Sequence, residues 1–328
     1  MIRYLAPLVA SLAMTGPAVA QIAPACPATP AAFRALRERV IHPPAGHVVV
    51  VAHRACFSAA PENTPEAIEA CWRMGVEVVE NDVRRTADGE LVVVHDDTID
   101  RMTDAWGYVD DLTMAEIGRA WMRERDGGPG AYVTDIRVPT FRAYLEASRN
   151  KVMINLELKA SGTATYESLY AQAMQIAREV GVVDHLILKV PDKRAHGRRA
   201  RGHILDTLEV APDLLLMPII WGGETPVAER LDELERHRPI GYEVPFNDPA
   251  YLGQAGREPR LAGRPIMAVA VQPYWSGGLD DRISMNDPDV GWGRLVALGA
   301  NLLMTDRPEA LLSWLNRTGR RSATGECG

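Results

Sequence analysis

The stretch from Val76 to Asp97 reads VEVVENDVRRTADGELVVVHDD. Its first apolar run leads into Glu80 and Asp82, and its second, Leu91–Val94, leads directly into His95. Short apolar runs bounded by turn residues are typical of buried β-strands. Polar side chains at the ends of such strands are typical of the active-site end of an α/β barrel. The stretch therefore predicts two strands that carry chemistry where they end.

Apolar runs of this kind recur along the chain and alternate with helix-like segments, as in parallel βα units. The runs that we assign to barrel strands are Val48–Val51, Val76–Val79, Val152–Leu158, His185–Val190, Leu214–Ile220, Gly241–Val244, Ile266–Val271 and Asn301–Met304. The segments that we assign to helices are Pro30–Val40, Pro65–Met74, Thr140–Ser148, Tyr166–Val180, Thr225–Arg236, Trp292–Leu298 and Pro308–Leu315. Eight strands with crossovers predict the α/β class and a TIM (β/α)8 barrel.

The barrel domain is predicted at residues 47–318, with a small inserted lobe after the second strand at about 86–137. That interval is too long for one crossover and contains the strand-like run Leu91–Val94. Residues 21–46 are rich in Ala and Pro and are predicted to be an N-terminal lead-in, and residues 319–328 a C-terminal tail.

Composition excludes several classes of protein. Hydrophobic residues make up 47% of the chain and charged residues 24%, which excludes a disordered or fibrous protein. The 36 basic residues are outnumbered by 43 acidic ones, for a net charge of -7. A protein that neutralises phosphates needs the opposite balance, so we expect no nucleic-acid partner.

The first twenty residues have the features of a secretory signal peptide. Arg3 precedes the apolar run Leu5–Met14, and the small residues Ala18, Val19 and Ala20 form a cleavage site. We expect residues 1–20 to be removed and the chain to be periplasmic or secreted, with an uncleaved anchor as the alternative. No later apolar stretch is long enough for a stable membrane anchor.

Export makes the four cysteines relevant, because disulfides persist in oxidising compartments. Cys26, Cys56, Cys71 and Cys327 allow two disulfides in three pairings. We favour Cys26 with Cys327, since barrel termini often meet, and free buried thiols are the alternative.

Three carboxylates end two neighbouring strands. Glu80 and Asp82 lie two apart on one strand, so they point to the same side, and Glu157 ends the next barrel strand. Their hard oxygen atoms predict a site for one divalent cation, Ca²⁺ or Mg²⁺. The alternative is an internal ion-pair network in which Arg54 and Lys159 supply the compensating charge.

Two histidines also terminate apolar runs, and histidine exchanges protons near neutral pH. We therefore interpret His53 and His95 as a general acid and base; zinc binding is the rival use, but no Cys–His cluster accompanies them. Arg54 and Lys159 are the candidates for binding a phosphate. Lys189 is a weaker candidate because it ends its run without a carboxylate beside it.

Three stretches resemble the glycerophosphodiester phosphodiesterase family. They are AHRACFSAAPENTPEAI at 52–68, VVENDVRRTADGELVVVHDDTIDRMTD at 78–104 and INLELK at 154–159. The resemblance implies a TIM barrel with an inserted lobe and hydrolysis of glycerophosphodiesters to glycerol 3-phosphate and an alcohol. The nucleophile that it implies is the substrate's own neighbouring hydroxyl. The residue roles that it implies are acid and base for His53 and His95, metal ligands for Glu80, Asp82 and Glu157, and phosphate binding for Arg54 and Lys159.

The chain departs from the family pattern at a few positions. Ala55 stands where glycine is usual, and Asn81 where an apolar or aromatic residue is common. Tyr274 and Trp275 lie where the family has a different seventh-strand ending, and we expect them either to line the pocket or to be buried in the core. Glu62 is predicted to support the site or the entry to the following helix.

The expected partner is a small-molecule phosphodiester, and the oligomeric state stays open. One alternative function is phospholipase C- or D-like cleavage of lipid phosphodiesters, although no long apolar loop supports it. The other is a non-catalytic periplasmic binding protein, for which His53, His95 and the three carboxylates would be unnecessary.

Overall fold

The structure is a computed structural model and describes residues 27–162, 164–191, 204–206 and 208–321. The predicted signal peptide at residues 1–20, the favoured Cys26–Cys327 pair and residues 322–328 of the predicted tail lie outside the described residues.

Eight parallel strands form a nearly closed barrel, as predicted. In chain order the strands of the molecule are β1 (Val49–Ala52), β2 (Val78–Arg85), β3 (Leu91–Val93), β4 (Trp121–Arg123), β5 (Val133–Arg137), β6 (Met153–Leu158), β7 (Leu186–Val190), β8 (Leu215–Pro218), β9 (Tyr242–Glu243), β10 (Ile266–Val269) and β11 (Leu302–Thr305). The barrel order is β8-β7-β6-β2-β1-β11-β10-β9. An isolated parallel bridge between Ile219 and Glu243 joins its two ends.

The helices of the described residues lie mainly between these strands. They are α1 (Pro30–Ile41), α2 (Pro65–Met74), α3 (Met114–Ile117), α4 (Phe141–Ser148), α5 (Tyr166–Val180), α6 (Val227–Leu234), α7 (Pro249–Arg257), α8 (Asp281–Asn286), α9 (Trp292–Ala297) and α10 (Pro308–Arg317). None of them is long and apolar enough to cross a bilayer. Our sequence analysis missed α7, although Asp248 caps it and Pro249 occupies its first turn, which are standard start signals.

Side chains alternate between the two faces of each barrel strand. Val49, Val51 and Val78 pack inside the barrel with the methionines of β6, β8, β10 and β11. Val50 and Val79 face the helices and join the larger outer core. Because Glu80 and Asp82 continue the alternation from Val78, they point into the barrel at the carboxyl-terminal end of β2.

The inserted lobe follows β2, as predicted. Strand β3 returns antiparallel to β2, and β4 pairs with β5 in a small separate antiparallel sheet. A small apolar cluster that includes Ile99, Ile117 and Met122 stabilises the lobe. The lobe brings His95, which lies just after β3, close enough to Asp82 for their charges to interact.

Cys56 and Cys71 form a disulfide between the loop after β1 and helix α2. The alternative of free thiols is therefore wrong for these two residues. Of the three pairings, this disulfide is compatible only with the one that also joins Cys26 to Cys327.

The amino-terminal end of the barrel is closed by α1 and by a buried ion network. Phe33 of α1 stacks on His185, which precedes β7. Arg321 makes paired contacts of 3.0 and 3.1 Å with Glu77, which also lies 3.4 Å from His47 Nε2. The backbone N–H of Val50 donates to the same carboxylate.

Candidate active site

Three carboxylates meet at the carboxyl-terminal end of the barrel. The parallel register sets Asp82 beside Glu157 and Glu80 beside Asn155. One oxygen from each of Glu80, Asp82 and Glu157 lies within 4.8 Å of the others. The structure therefore brings together the acidic cluster that the sequence predicted.

Two lysines lie against this cluster. Lys159 Nζ is 3.1 Å from Asp82 Oδ1 and also contacts Glu157. Lys189 Nζ is 2.6 Å from Glu157 and 3.8 Å from Glu80, and it is 3.6 Å from Glu243 on β9. Our reason for ranking Lys189 low was wrong, because its carboxylate partners come from neighbouring strands and not from adjacent residues.

The cluster distributes its charge unevenly. Burial and the neighbouring charge of Asp82 raise the pKa of Glu80 to about 7. Burial opposes ionisation of Asp82 as well, but Lys159, His95 and Arg54 outweigh it and hold its pKa well below the usual range. Lys189 and Lys159 likewise lower the pKa of Glu157 against the effect of burial. Glu80 is thus the carboxyl whose ionisation the protein alone supports least.

His53 follows β1 and is oriented by a residue that our sequence analysis missed. Its Nδ1 lies 2.7 Å from Asp306 Oδ1, and its Nε2 is 4.0 Å from Glu80. Burial opposes the charged ring, but the hydrogen bond to Asp306 and the charge of Glu80 raise the pKa of His53. Asp306 directly follows β11 and its backbone N–H donates to buried Asp281 at 2.7 Å. A polar residue at the end of the eighth run was the available signal.

The loop after β1 has a strained backbone. Arg54 and Ala55 have φ angles of 54° and 64°, in the left-handed region. This conformation explains why glycine is usual at position 55 in the family. It turns the N–H of Arg54 toward the cluster, where it donates to Glu80 at 3.1 Å.

A chain of ion pairs links this loop to the inserted lobe. Buried Glu62 accepts from Arg54 at 3.1 Å and from Arg101 at 2.6 Å. Arg101 also donates to Asp96, which lies 2.7 Å from His95 Nδ1. Glu62 therefore supports the site, as predicted, while Thr64 caps helix α2. Sequence spacing gave no signal for the Arg101–Glu62 pair.

The remaining departures from the family pattern have separate outcomes. Tyr274 is 54% exposed, so the alternative of a buried core position is wrong for it. Trp275 is partly buried and packs against the apolar residues inside the barrel. Asn81 is buried on the helix-facing side of β2, and its side-chain atoms make no hydrogen bond within the described residues.

The donor set fits a divalent cation. Three buried or half-buried carboxylates offer hard oxygen ligands, and a cation would oppose the repulsion that raises the pKa of Glu80. Beside Glu80, the amide of Asn155 is buried inside the barrel, and neither of its side-chain polar atoms has a hydrogen-bond partner in the described part of the chain.

A family profile described as the glycerophosphoryl diester phosphodiesterase family matches residues 53–201. A second profile, for a domain of unknown function, matches residues 216–315. The matched segment 53–201 contains the acidic cluster, both lysines and both predicted catalytic histidines. The fold and this site define an enzyme of the α/β-barrel class. Over residues 53–201, the chain is similar to the glycerophosphoryl diester phosphodiesterase family.

Individual proteins show the same likeness. The uncharacterized protein YqiK of Bacillus subtilis is 28% identical over 79% of this chain and 95% of its own length. A glycerophosphodiester phosphodiesterase of Caldanaerobacter subterraneus is 33% identical, over 43% of this chain and 56% of its own length.

Two solved structures share the fold. A glycerophosphoryl diester phosphodiesterase of Parabacteroides distasonis superposes with a TM-score of 0.68 at 17% identity, covering 90% of this chain and 95% of its own. An Oleispira antarctica phosphodiesterase in complex with the product sn-glycerol-3-phosphate superposes with a TM-score of 0.60 at 21% identity, covering 82% and 96%.

Proposed function

We propose that the protein hydrolyses glycerophosphodiesters to glycerol 3-phosphate and an alcohol. The observation that carries the proposal is the carboxylate cluster of Glu80, Asp82 and Glu157. Two histidines lie near it, and each is oriented by a carboxylate. This arrangement suits acid–base cleavage beside a metal-bound phosphate. The match of residues 53–201 to the family profile and the product bound to the Oleispira relative support the choice of substrate.

Glu80, Asp82 and Glu157 would hold one divalent cation, either Ca²⁺ or Mg²⁺. When bound, the cation supplies positive charge that stabilises the phosphoryl oxygens. Arg54 and Lys159 would bind the same phosphate from the protein side. Both lie at the cluster, and each pairs with Asp82, a carboxylate that the cation would also bind.

The histidines would move the protons. One removes the proton from the neighbouring hydroxyl of the glycerol group, which attacks phosphorus to form a cyclic phosphate, while the other gives a proton to the departing alcohol oxygen. Water then opens the cyclic phosphate to give glycerol 3-phosphate. Asp306 fixes the ring of His53 through Nδ1 and leaves Nε2 facing the cluster. Asp96 holds Nδ1 of His95 in the same manner.

Release of glycerol 3-phosphate from a panel of glycerophosphodiesters, with and without chelation, tests this function. We expect turnover that chelation abolishes and that Ca²⁺ or Mg²⁺ restores. Binding without turnover would support the non-catalytic alternative, and full turnover after exhaustive chelation would exclude the metal. Cleavage of intact phospholipids but not of glycerophosphodiesters would favour the lipase alternative.

We further propose that the enzyme acts after export from the cytoplasm. The sequence pattern of residues 1–20 and the Cys56–Cys71 disulfide support this location. N-terminal sequencing of the native protein should begin near Gln21, and recovery of intact Met1 from cytoplasm would contradict it.

A further inference from the structure

The mechanism above leaves two buried charged residues without a role. Lys189 is the penultimate residue of β7 and Glu243 is the last residue of β9, on the two sides of β8 and away from the loop that carries Arg54. Their side chains approach to 3.6 Å inside the mouth of the barrel.

The two carboxylate oxygens of Glu243 have different surroundings. Oε1 faces Lys189, whereas Oε2 is fully buried and has no hydrogen-bond donor within the described residues. A buried carboxylate oxygen without a donor is costly, and such atoms are rare in folded proteins. The atom is therefore placed to receive a donor from a bound molecule.

Lys189 determines which kind of donor fits. Its ammonium lies between Glu243 and the predicted metal ligand Glu157, so a group bound at Glu243 is a neighbour of the phosphate position. A cationic donor would be repelled by Lys189 at this distance. A neutral hydroxyl meets no such repulsion and donates to a carboxylate in a strong hydrogen bond.

We propose that Glu243, held in place by Lys189, is a specificity-determining residue that accepts a hydrogen bond from the terminal hydroxyl of the substrate's glycerol group. The terminal hydroxyl is the one farthest from phosphorus, and Glu243 is the carboxylate separated from the cluster by Lys189. The neighbouring hydroxyl stays free to react. This inference rests on the proposed function.

Two diesters with one leaving group test it: glyceryl 4-nitrophenyl phosphate and 2-hydroxypropyl 4-nitrophenyl phosphate. They differ only in the terminal hydroxyl, and both keep the neighbouring one. We expect the wild-type enzyme to prefer the glyceryl diester by about 10- to 100-fold in kcat/KM, since a hydrogen bond to a charged group is lost with the other. Glu243→Leu should reduce that preference to less than about 2-fold.

A matched control and a milder variant make the result decisive. Tyr242 lies on the outer side of β9, and its hydroxyl donates to Glu235. Glu235→Leu therefore makes the same chemical change outside the mouth and should keep the wild-type preference. Glu243→Gln keeps the size of the side chain and a neutral acceptor, so its preference should fall between the other two. It decides the test if the leucine variant does not fold.

An unchanged preference in Glu243→Leu or Glu243→Gln, or an equal loss on both diesters, would overturn the inference alone. Failure of the wild-type enzyme to cleave either diester would overturn the proposed function together with it.

Discussion

Glu77 and Glu80 lie three residues apart, are equally buried, and have opposite electrostatic environments. Glu77 belongs to the closed end of the barrel, where Arg321, His47 and the N–H of Val50 outweigh burial and lower its pKa. Glu80 belongs to the mouth, where burial and Asp82 raise the pKa to about 7 despite nearby Lys189 and His53.

The difference shows that neighbouring residues at the start of β2 and farther along it serve two purposes. At the closed end each charge has a partner within the chain, and the network stabilises the fold. At the mouth the nearby positive charges do not compensate for the burial of the carboxylates of Glu80 and Glu243. Burial raises the pKa of Glu243 to about 7 as well. Charge that the protein does not neutralise is available for a cation or a substrate.

The largest expected effect concerns the histidines at the two ends. His53→Ala and His95→Ala should each lower kcat/KM by ~10²–10⁴-fold for a diester with an alkyl leaving group, because a positioned acid or base is lost. His47→Ala, at the closed end, should lower the thermal stability and leave turnover of the folded enzyme unchanged. Initial rates and thermal unfolding measure both.

Leaving groups identify the acid. A 4-nitrophenol scarcely needs protonation, so the variant that lacks the acid should lose much less with it than with an alkyl alcohol. Equal losses with both leaving groups in both variants, or mild losses throughout, would contradict the division into one acid and one base.

Removal of the charge at the closed end should cost stability. Glu77→Gln should lower the free energy of unfolding at neutral pH by about 3–5 kcal/mol, because Arg321 is left buried and unpaired. The pKa of Glu77 is lowered in the folded state, so its contribution is complete above the usual value of 4.5 and is lost as the pH falls below it. Urea unfolding of both proteins should therefore show a difference that shrinks below that pH; a constant difference would contradict the assignment.

The same substitution at the mouth should have the opposite pattern. Glu80→Gln removes a carboxylate whose ionisation burial opposes, so we expect no loss of thermal stability without metal and a loss of activity of at least ~10²–10³-fold. Ca²⁺ or Mg²⁺ should raise the melting temperature of the wild-type protein and not that of the variant. A destabilised but active variant would break the comparison between the two ends.

Removal of the disulfide should have the smallest effect, and it sharpens the comparison between the two ends of the barrel. Cys56 lies near the mouth, yet its bond to Cys71 closes a loop of 15 residues and should act on stability. Replacing both cysteines with serine should lower the free energy of unfolding by about 3 kcal/mol. Unfolding of the oxidised, reduced and substituted proteins measures this, and equal stabilities would contradict it.

Local sequence was sufficient wherever a site residue ends an apolar run. Glu80, Asp82 and Glu157 could be placed at one end of the barrel because strand alternation and parallel register are local rules. The eight strands and the inserted lobe followed from the same periodicity.

The partners of those residues could not be predicted. The contact of Asp306 with His53 joins the last and first barrel strands, and Lys189 meets Glu243 across β8. A contact between distant segments produces no characteristic residue spacing from which it could be predicted. Glu243 was also hidden because its run is short, and β9 contains only two residues.

The seam between β8 and β9 divides the mouth into a part that must stay constant and a part that can diverge. Six register pairs hold β2 against β6 and fix the spacing of the acidic cluster, whereas Glu243 is paired with Met267 of β10 and meets β8 only through the bridge from Ile219. Substitutions along the seam can shift Glu243 without disturbing the cluster. Related enzymes could thus acquire new preferences for the group that takes the place of glycerol while the phosphate chemistry is inherited unchanged, and the seam is the natural place to begin directed redesign of the substrate range.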